Sequence, residues 1–208
     1  MKKLILTVSA IACVGAVALP QTGLQIYPLE KMDIPQEIKN NVLERKRQET
    51  KNGYYKQFSE SAGFILNVDK HRSELQPSIN DLPMAFKPIT YAYPNVIGYA
   101  PVGSYLPEKG WTGYSVAFKH PTAGNCMYSY FDLKLSRGGV QLNEESVEYL
   151  VNHKASARII QGDKASGYSY EIDWYTATTI NQLECATQTF DPLEFDRVVQ
   201  LAEEIDHA

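Results

Sequence analysis

The sequence is 208 residues long and carries 20 Lys and Arg against 24 Asp and Glu, a formal net charge of −4. An acidic chain with interspersed signs gives no electrostatic case for a nucleic-acid partner, and the one basic cluster, Arg45, Lys46, Arg47 and Lys51, reads as a solvated helix face. Fourteen Tyr, seven Phe and two Trp are too many aromatic side chains for a disordered chain, so a packed core is expected.

Residues 1–18 have the grammar of a secretory signal peptide: Lys2 and Lys3, no charge over residues 4–17, then small residues at Ala16 and Ala18. Cleavage is expected before Leu19. The apolar run is shorter than the roughly 20 residues that span a bilayer, and no later stretch is longer, so no transmembrane segment is expected in the mature chain. A competing route is a lipoprotein cut before Cys13, which follows Ala10-Ile11-Ala12. Ala10 stands where a larger aliphatic residue is usual, and apolar residues continue past Cys13 to Leu19, so anchoring through a lipid on Cys13 is the lesser alternative. Loss of the leader removes two lysines and no acid, taking the net charge to −6. It also removes the odd cysteine. Cys126 and Cys185 remain, and in an oxidising periplasmic or extracellular setting they are expected to form a disulfide. A nucleophilic Cys126 is disfavoured, because it opens a strand pattern and not a helix N-terminus.

Residues 19–33 form an unpatterned entry. Asp33, with Pro35 and Gln36 behind it, reads as a helix start, and Ile34, Ile38, Val42 and Leu43 supply one apolar stripe. No apolar residue occurs over 44–53, and Asn52-Gly53 signals a stop. Tyr54, Tyr55, Phe58 and Ala62 then resume a helical spacing, so residues 34–62 are one long helix or two. An N-terminal extension with helical character is thus expected over 19–62, and an α+β domain over 63–208.

Residues 64–68 are a strand candidate, and the polar residues 69–82 a loop. Over 83–111 Pro, Gly and Tyr alternate, which suits short extended pieces joined by turns. Residues 113–119 and 125–135 flank the turn-like run from His120 to Gly124 and read as a hairpin. Asn143 is expected to cap a mid-chain helix running to about Lys154, with Val147, Leu150 and Val151 inward. Strands follow over 157–161, 168–175 and 179–190; in the second of these Tyr168, Tyr170, Ile172 and Trp174 share one face by strict alternation. Asp191-Pro192 opens a C-terminal helix with Phe195, Val198, Val199, Ala202 and Ile205 on its buried side. The expected class is α+β: a mostly antiparallel sheet with helices packed on it and one disulfide.

Chemistry is harder to find. The sequence contains no zinc-protease helix, phosphate loop or nucleophile elbow, and no cofactor or metal site is expected. Of four histidines, His120 lies in a turn at a strand end and could serve as a base with Asp132 or Glu145; His153 is a weaker candidate. Glu144, Glu145 and Glu148 read as charge at a helix start. The segment carrying Tyr91, Tyr93, Tyr99, Tyr105, Trp111 and Tyr114 is the best candidate surface, since aromatic side chains on rigid turns give contact area at low entropic cost. The leading expectation is therefore an exported, non-enzymatic binding or accessory protein that contacts a protein, peptide or glycan in the envelope or extracellular space. The alternative is a secreted hydrolase with a His and carboxylate site at His120 or His153.

Overall fold

The computed structural model describes residues 23–88 and 91–207; the leader, the Cys13 alternative and the start of the entry segment lie outside them. Ten strands occur among the described residues. They are β1 (Gly23–Tyr27), β2 (Tyr55–Lys56), β3 (Val96–Leu106), β4 (Gly110–His120), β5 (Gly124–Asp132), β6 (Gly139–Asn143), β7 (Val147–Val151), β8 (Lys154–Asp163), β9 (Gly167–Tyr175) and β10 (Thr179–Thr187). Helices α1 (Gln36–Asn52), α2 (Glu60–Leu66), α3 (Leu133–Ser136) and α4 (Glu194–His207) complete the α+β architecture, with short 3-10 turns between. One sheet runs β2-β8-β9-β10-β5-β4-β3, with β7 on the outer side of β8; β1 and β6 form a separate pair. Pairing is antiparallel except at β2–β8 and β1–β6, which are parallel. Among the described residues no helix is long and apolar enough to cross a membrane.

Residues 34–62 resolve into two helices. Helix α1 stops at Gly53, whose φ of 83° few other residues tolerate and whose N–H donates to the Glu49 carbonyl at 2.8 Å. Tyr55 and Lys56 then pair with β8. Ser59 caps α2, its Oγ accepting from the Ala62 N–H at 3.1 Å. This cap carries the chain into a helix where a strand was expected over 64–68. The short apolar run 64–66 fits both periods, and Ala62 and Ile65, three apart, bury the helical face.

A second correction concerns residues 143–154, which are not a helix. Strand β7 folds back on β8 through Asn152-His153, with φ of 45° and 60°. Positive φ at both central residues is the geometry of a two-residue hairpin turn that matches strand twist, and Asn is among the residues that adopt it most readily. Val147, Leu150 and Val151 fit a helical stripe, but Val151 is buried in the sheet and Tyr149 stands 62% exposed.

The α4 face of the sheet carries Tyr114, Val116 and Phe118 of β4, Tyr128 of β5, Tyr170, Ile172 and Trp174 of β9 and Leu183 of β10. Phe195, Val198, Leu201, Ala202 and Ile205 of α4 close over this layer. Leu201 takes the inward place expected of Val199, which is only half-buried. Each such apolar side chain contributes about 1.5–3 kcal/mol on burial. Cys126 and Cys185 are directly opposed neighbours in β5 and β10 and form the expected disulfide, with Cα atoms 4.0 Å apart.

The end of α4 is latched by Asp206. Its carboxylate accepts from Trp174 Nε1 at 2.9 Å and Asn152 Nδ2 at 2.8 Å, and pairs with the Lys154 ammonium. Burial opposes its charge, but these bonds outweigh burial and hold the carboxyl below the usual range. Asp206→Ala is expected to lower the unfolding free energy by about 2–3 kcal/mol in urea melts, whereas Gln200→Ala on the exposed side of α4 should stay within about 0.5 kcal/mol. Replacing both cysteines should cost about 4 kcal/mol, the chain-entropy value for a crosslink spanning 59 positions.

Candidate functional site

The aromatic segment divides into two groups. Tyr114 is buried on the α4 face beside Tyr130, their rings 5.8 Å apart. Tyr93 lies over Phe118 and Tyr128 at 5.0 and 5.8 Å, with Tyr91 edge-on to it at 4.9 Å, and burial pushes the Tyr93 and Tyr114 phenols well above their ordinary range. Tyr91, Tyr93 and Tyr99 are half-buried and pack against the core. Tyr105 and Trp111 stand apart from this layer. They meet edge to face at 5.3 Å at the far end of the β3–β4 hairpin, where Tyr105 is 54% exposed.

That tip is held firmly. The Trp111 N–H donates to the Pro83 carbonyl at 2.8 Å, and the Ala85 N–H to the Trp111 carbonyl at 3.0 Å. Gly110 makes this possible: its φ is 108°, and a Cβ there would meet the Pro83 oxygen at 2.1 Å. On the other strand a bulge between Val102 and Tyr105 is fastened by the Ser104 N–H donating to Thr112 Oγ1 at 2.9 Å.

Beside the tip lies a hollow lined by Leu106, Pro107, Lys109, Lys134, Leu135, Ser136 and Arg137. Sequence reasoning missed it because residues 133–135 read as the end of a strand. Asp132 ends that strand instead, its carboxylate accepting from the Leu135 N–H at 2.7 Å and so capping α3. The short helix closes at Arg137, in left-handed conformation at φ 54°. This brings Lys134 and Arg137 to the same hollow as Lys109. Of the six arginines in the sequence, the other five each lie within 4 Å of a carboxylate. Among the described residues Arg137, Lys134 and Lys109 have no such partner.

The histidine candidates are placed differently. His120 Nδ1 faces the Thr122 hydroxyl at 3.1 Å and the Ala123 N–H at 3.3 Å, closing its own turn. His120 pairs with Gly124 at one end of β5 and Asp132 lies at the other, roughly 27 Å away at strand rise. Glu145 is occupied elsewhere, accepting from the Leu29 N–H at 2.9 and 3.0 Å. His153 is exposed in its turn. Among the described residues only His71 comes within 4 Å of a carboxylate, that of Glu74.

The opposite sheet face holds a feature the alternation concealed. Glu171, Asp173 and Glu184 share that face and are only 3%, 3% and 5% exposed, with Glu171 and Glu184 directly opposed. Gln182 Nε2 donates to Glu171 Oε1 at 2.9 Å, and the Tyr175 hydroxyl to Asp173 Oδ2 at 3.0 Å. Among the described residues no cation lies within 4 Å of any of the three, and no set of three or more His, Cys, Asp or Glu is arranged to hold a metal ion. Burial, then the neighbouring acids, pushes Glu171 well above its ordinary range. Asp173 rises to about 7, with burial first, Tyr175 opposing and Glu184 assisting. No family model, curated protein or solved structure matches this chain.

These shifts have a definite sign. The folded state binds protons that the unfolded state has already released, so their contribution is fully present below the ordinary carboxylate pKa and is lost as pH rises through the folded value near 7. Between pH 5 and pH 8 the wild type is expected to lose stability on the order of 2 kcal/mol relative to Asp173→Asn, which cannot ionise there. Urea midpoints of the two proteins across that range measure it. Parallel pH dependences would remove Asp173 as the cause.

Proposed function

We propose that this chain is an exported, non-enzymatic binding or accessory protein whose contact surface is the tip of the β3–β4 hairpin. The observation that carries the reading is the exposed Tyr105 packed edge to face on Trp111, on a hairpin clamped from both strands. A rigid aromatic pair gives binding area without a large ordering cost. Export is supported by the leader grammar of residues 1–18 and by the Cys126–Cys185 disulfide, which belongs in an oxidising compartment. The partner is a protein, peptide or glycan of the envelope or extracellular space.

Affinity capture from envelope and extracellular fractions tests this with three baits: wild type, Tyr105→Ser and Tyr149→Ser. Tyr149 is also exposed but lies on β7, beside β8 and at the other end of the strand order from β3, so its variant should retain the wild-type partner while Tyr105→Ser loses it. A partner held equally by all three would remove the hairpin tip as the contact surface.

A further inference from the structure

We infer that the hollow beside the Tyr105–Trp111 pair receives the carboxylate of an acidic peptide segment of a partner protein; this rests on the hairpin tip being the contact surface.

Charge comes first. In a chain of net acidic character, Lys109, Lys134 and Arg137 converge on one hollow with no carboxylate among its lining residues. Elsewhere the described fold pairs its arginines, through Arg45–Glu49, Arg47–Glu44, Arg72–Asp69, Arg158–Glu148 and the Arg197 contacts with Asp191 and Glu194. An arginine with no carboxylate partner that shares a hollow with two lysines suits an anion, because the planar guanidinium matches a carboxylate in bidentate fashion.

Backbone conformation points to the same place. Five described non-glycine residues have positive φ: Asn95, Glu108, Arg137, Asn152 and His153. Asn and His adopt that region comparatively readily; Glu and Arg do not. Glu108 and Arg137 flank the hollow, one in the hairpin turn and one closing α3, and Arg137 takes the left-handed position although Gly138 and Gly139 follow it. Such strain persists only where the surrounding structure fixes it, and it clusters at ligand sites.

The lining of the hollow and the charge of the chain select the anion. Leu106, Pro107 and Leu135 add apolar lining, which suits an acidic residue with an apolar neighbour in a peptide. An extended polyanion, such as a sulfated glycan or an anionic bilayer, would bring many charges within a Debye length of about 8–10 Å of a chain whose net charge is negative. A single carboxylate avoids that repulsion. Recognition runs through side chains, because Pro101 and the bulge after Val102 blunt β3 as an edge for strand addition.

Fluorescence anisotropy with a labelled peptide alternating Glu and Leu tests the inference, with low-molecular-weight heparin and phosphatidylglycerol vesicles as competing anions. Saturable peptide binding is expected, weakening as salt rises and by roughly tenfold or more in Arg137→Glu and in Lys134→Glu. Arg137→Gly is the decisive companion: it relieves the left-handed strain, so its melting temperature should be unchanged or raised while binding weakens. No peptide binding, binding unaffected by these variants, or tighter binding of heparin or vesicles overturns the inference. In the affinity capture, a partner lost by Tyr105→Ser but retained by Arg137→Glu would overturn the carboxylate site and leave the contact surface standing; a partner retained by both overturns both.

Discussion

The register of β10 against β5 decides which side chains face α4 and which face α1 and α2. These two strands join the halves of the large sheet, β2-β8-β9-β10 on one side and β5-β4-β3 on the other. A slip of one residue would turn Leu183 out of the aromatic layer and send Glu184 into it, because strand side chains alternate with period two. Cys126 and Cys185, opposed at this seam, make the slip covalently impossible. The aromatic packing under α4, the latch at Asp206 and the position of the hairpin tip all follow from that seam.

Much of this architecture was legible. The alternation of Tyr168, Tyr170, Ile172 and Trp174 places them on the buried face of β9, the Phe195 to Ile205 stripe describes α4 apart from Leu201, and the cysteine count points to the disulfide. What escaped had local physical causes. Residues 143–154 carry apolar spacing compatible with both periods, and the tie was broken by Asn152-His153, whose paired positive φ values close a hairpin. At residues 64–68 the deciding signal was the cap at Ser59, five positions upstream of the run. The aromatic surface was legible as composition but not as geometry, since exposure separates Tyr105 from Tyr93 and Tyr114 only once the strands are assembled. Lys134 and Arg137 were hidden because their place beside Lys109 depends on Asp132 ending a strand.

The face beneath α1 and α2 shows why alternation alone misleads. Ser169, Glu171 and Asp173 have the pattern of a solvent-facing set, yet helices cover them. Helix α1 buries only Val42, so it adds little apolar packing over this layer. Arg45 of α1 provides a distant favourable charge to Glu171 and Asp173, but desolvation dominates.

The parallel pairs constrain how the molecule can assemble. Gly23 of β1 waits for Gly139, and Tyr55 of β2 for Gln161, in each case more than a hundred positions further along. Before residue 96 the described chain has no other strand, and α2 packs on β9 and β10. A polypeptide emerging N-terminus first therefore presents β1 and β2 without their pairing strands until about two thirds and three quarters of it have appeared. Contacts of such separation are slow to close. Strands left unpaired for that long are open to premature association during synthesis.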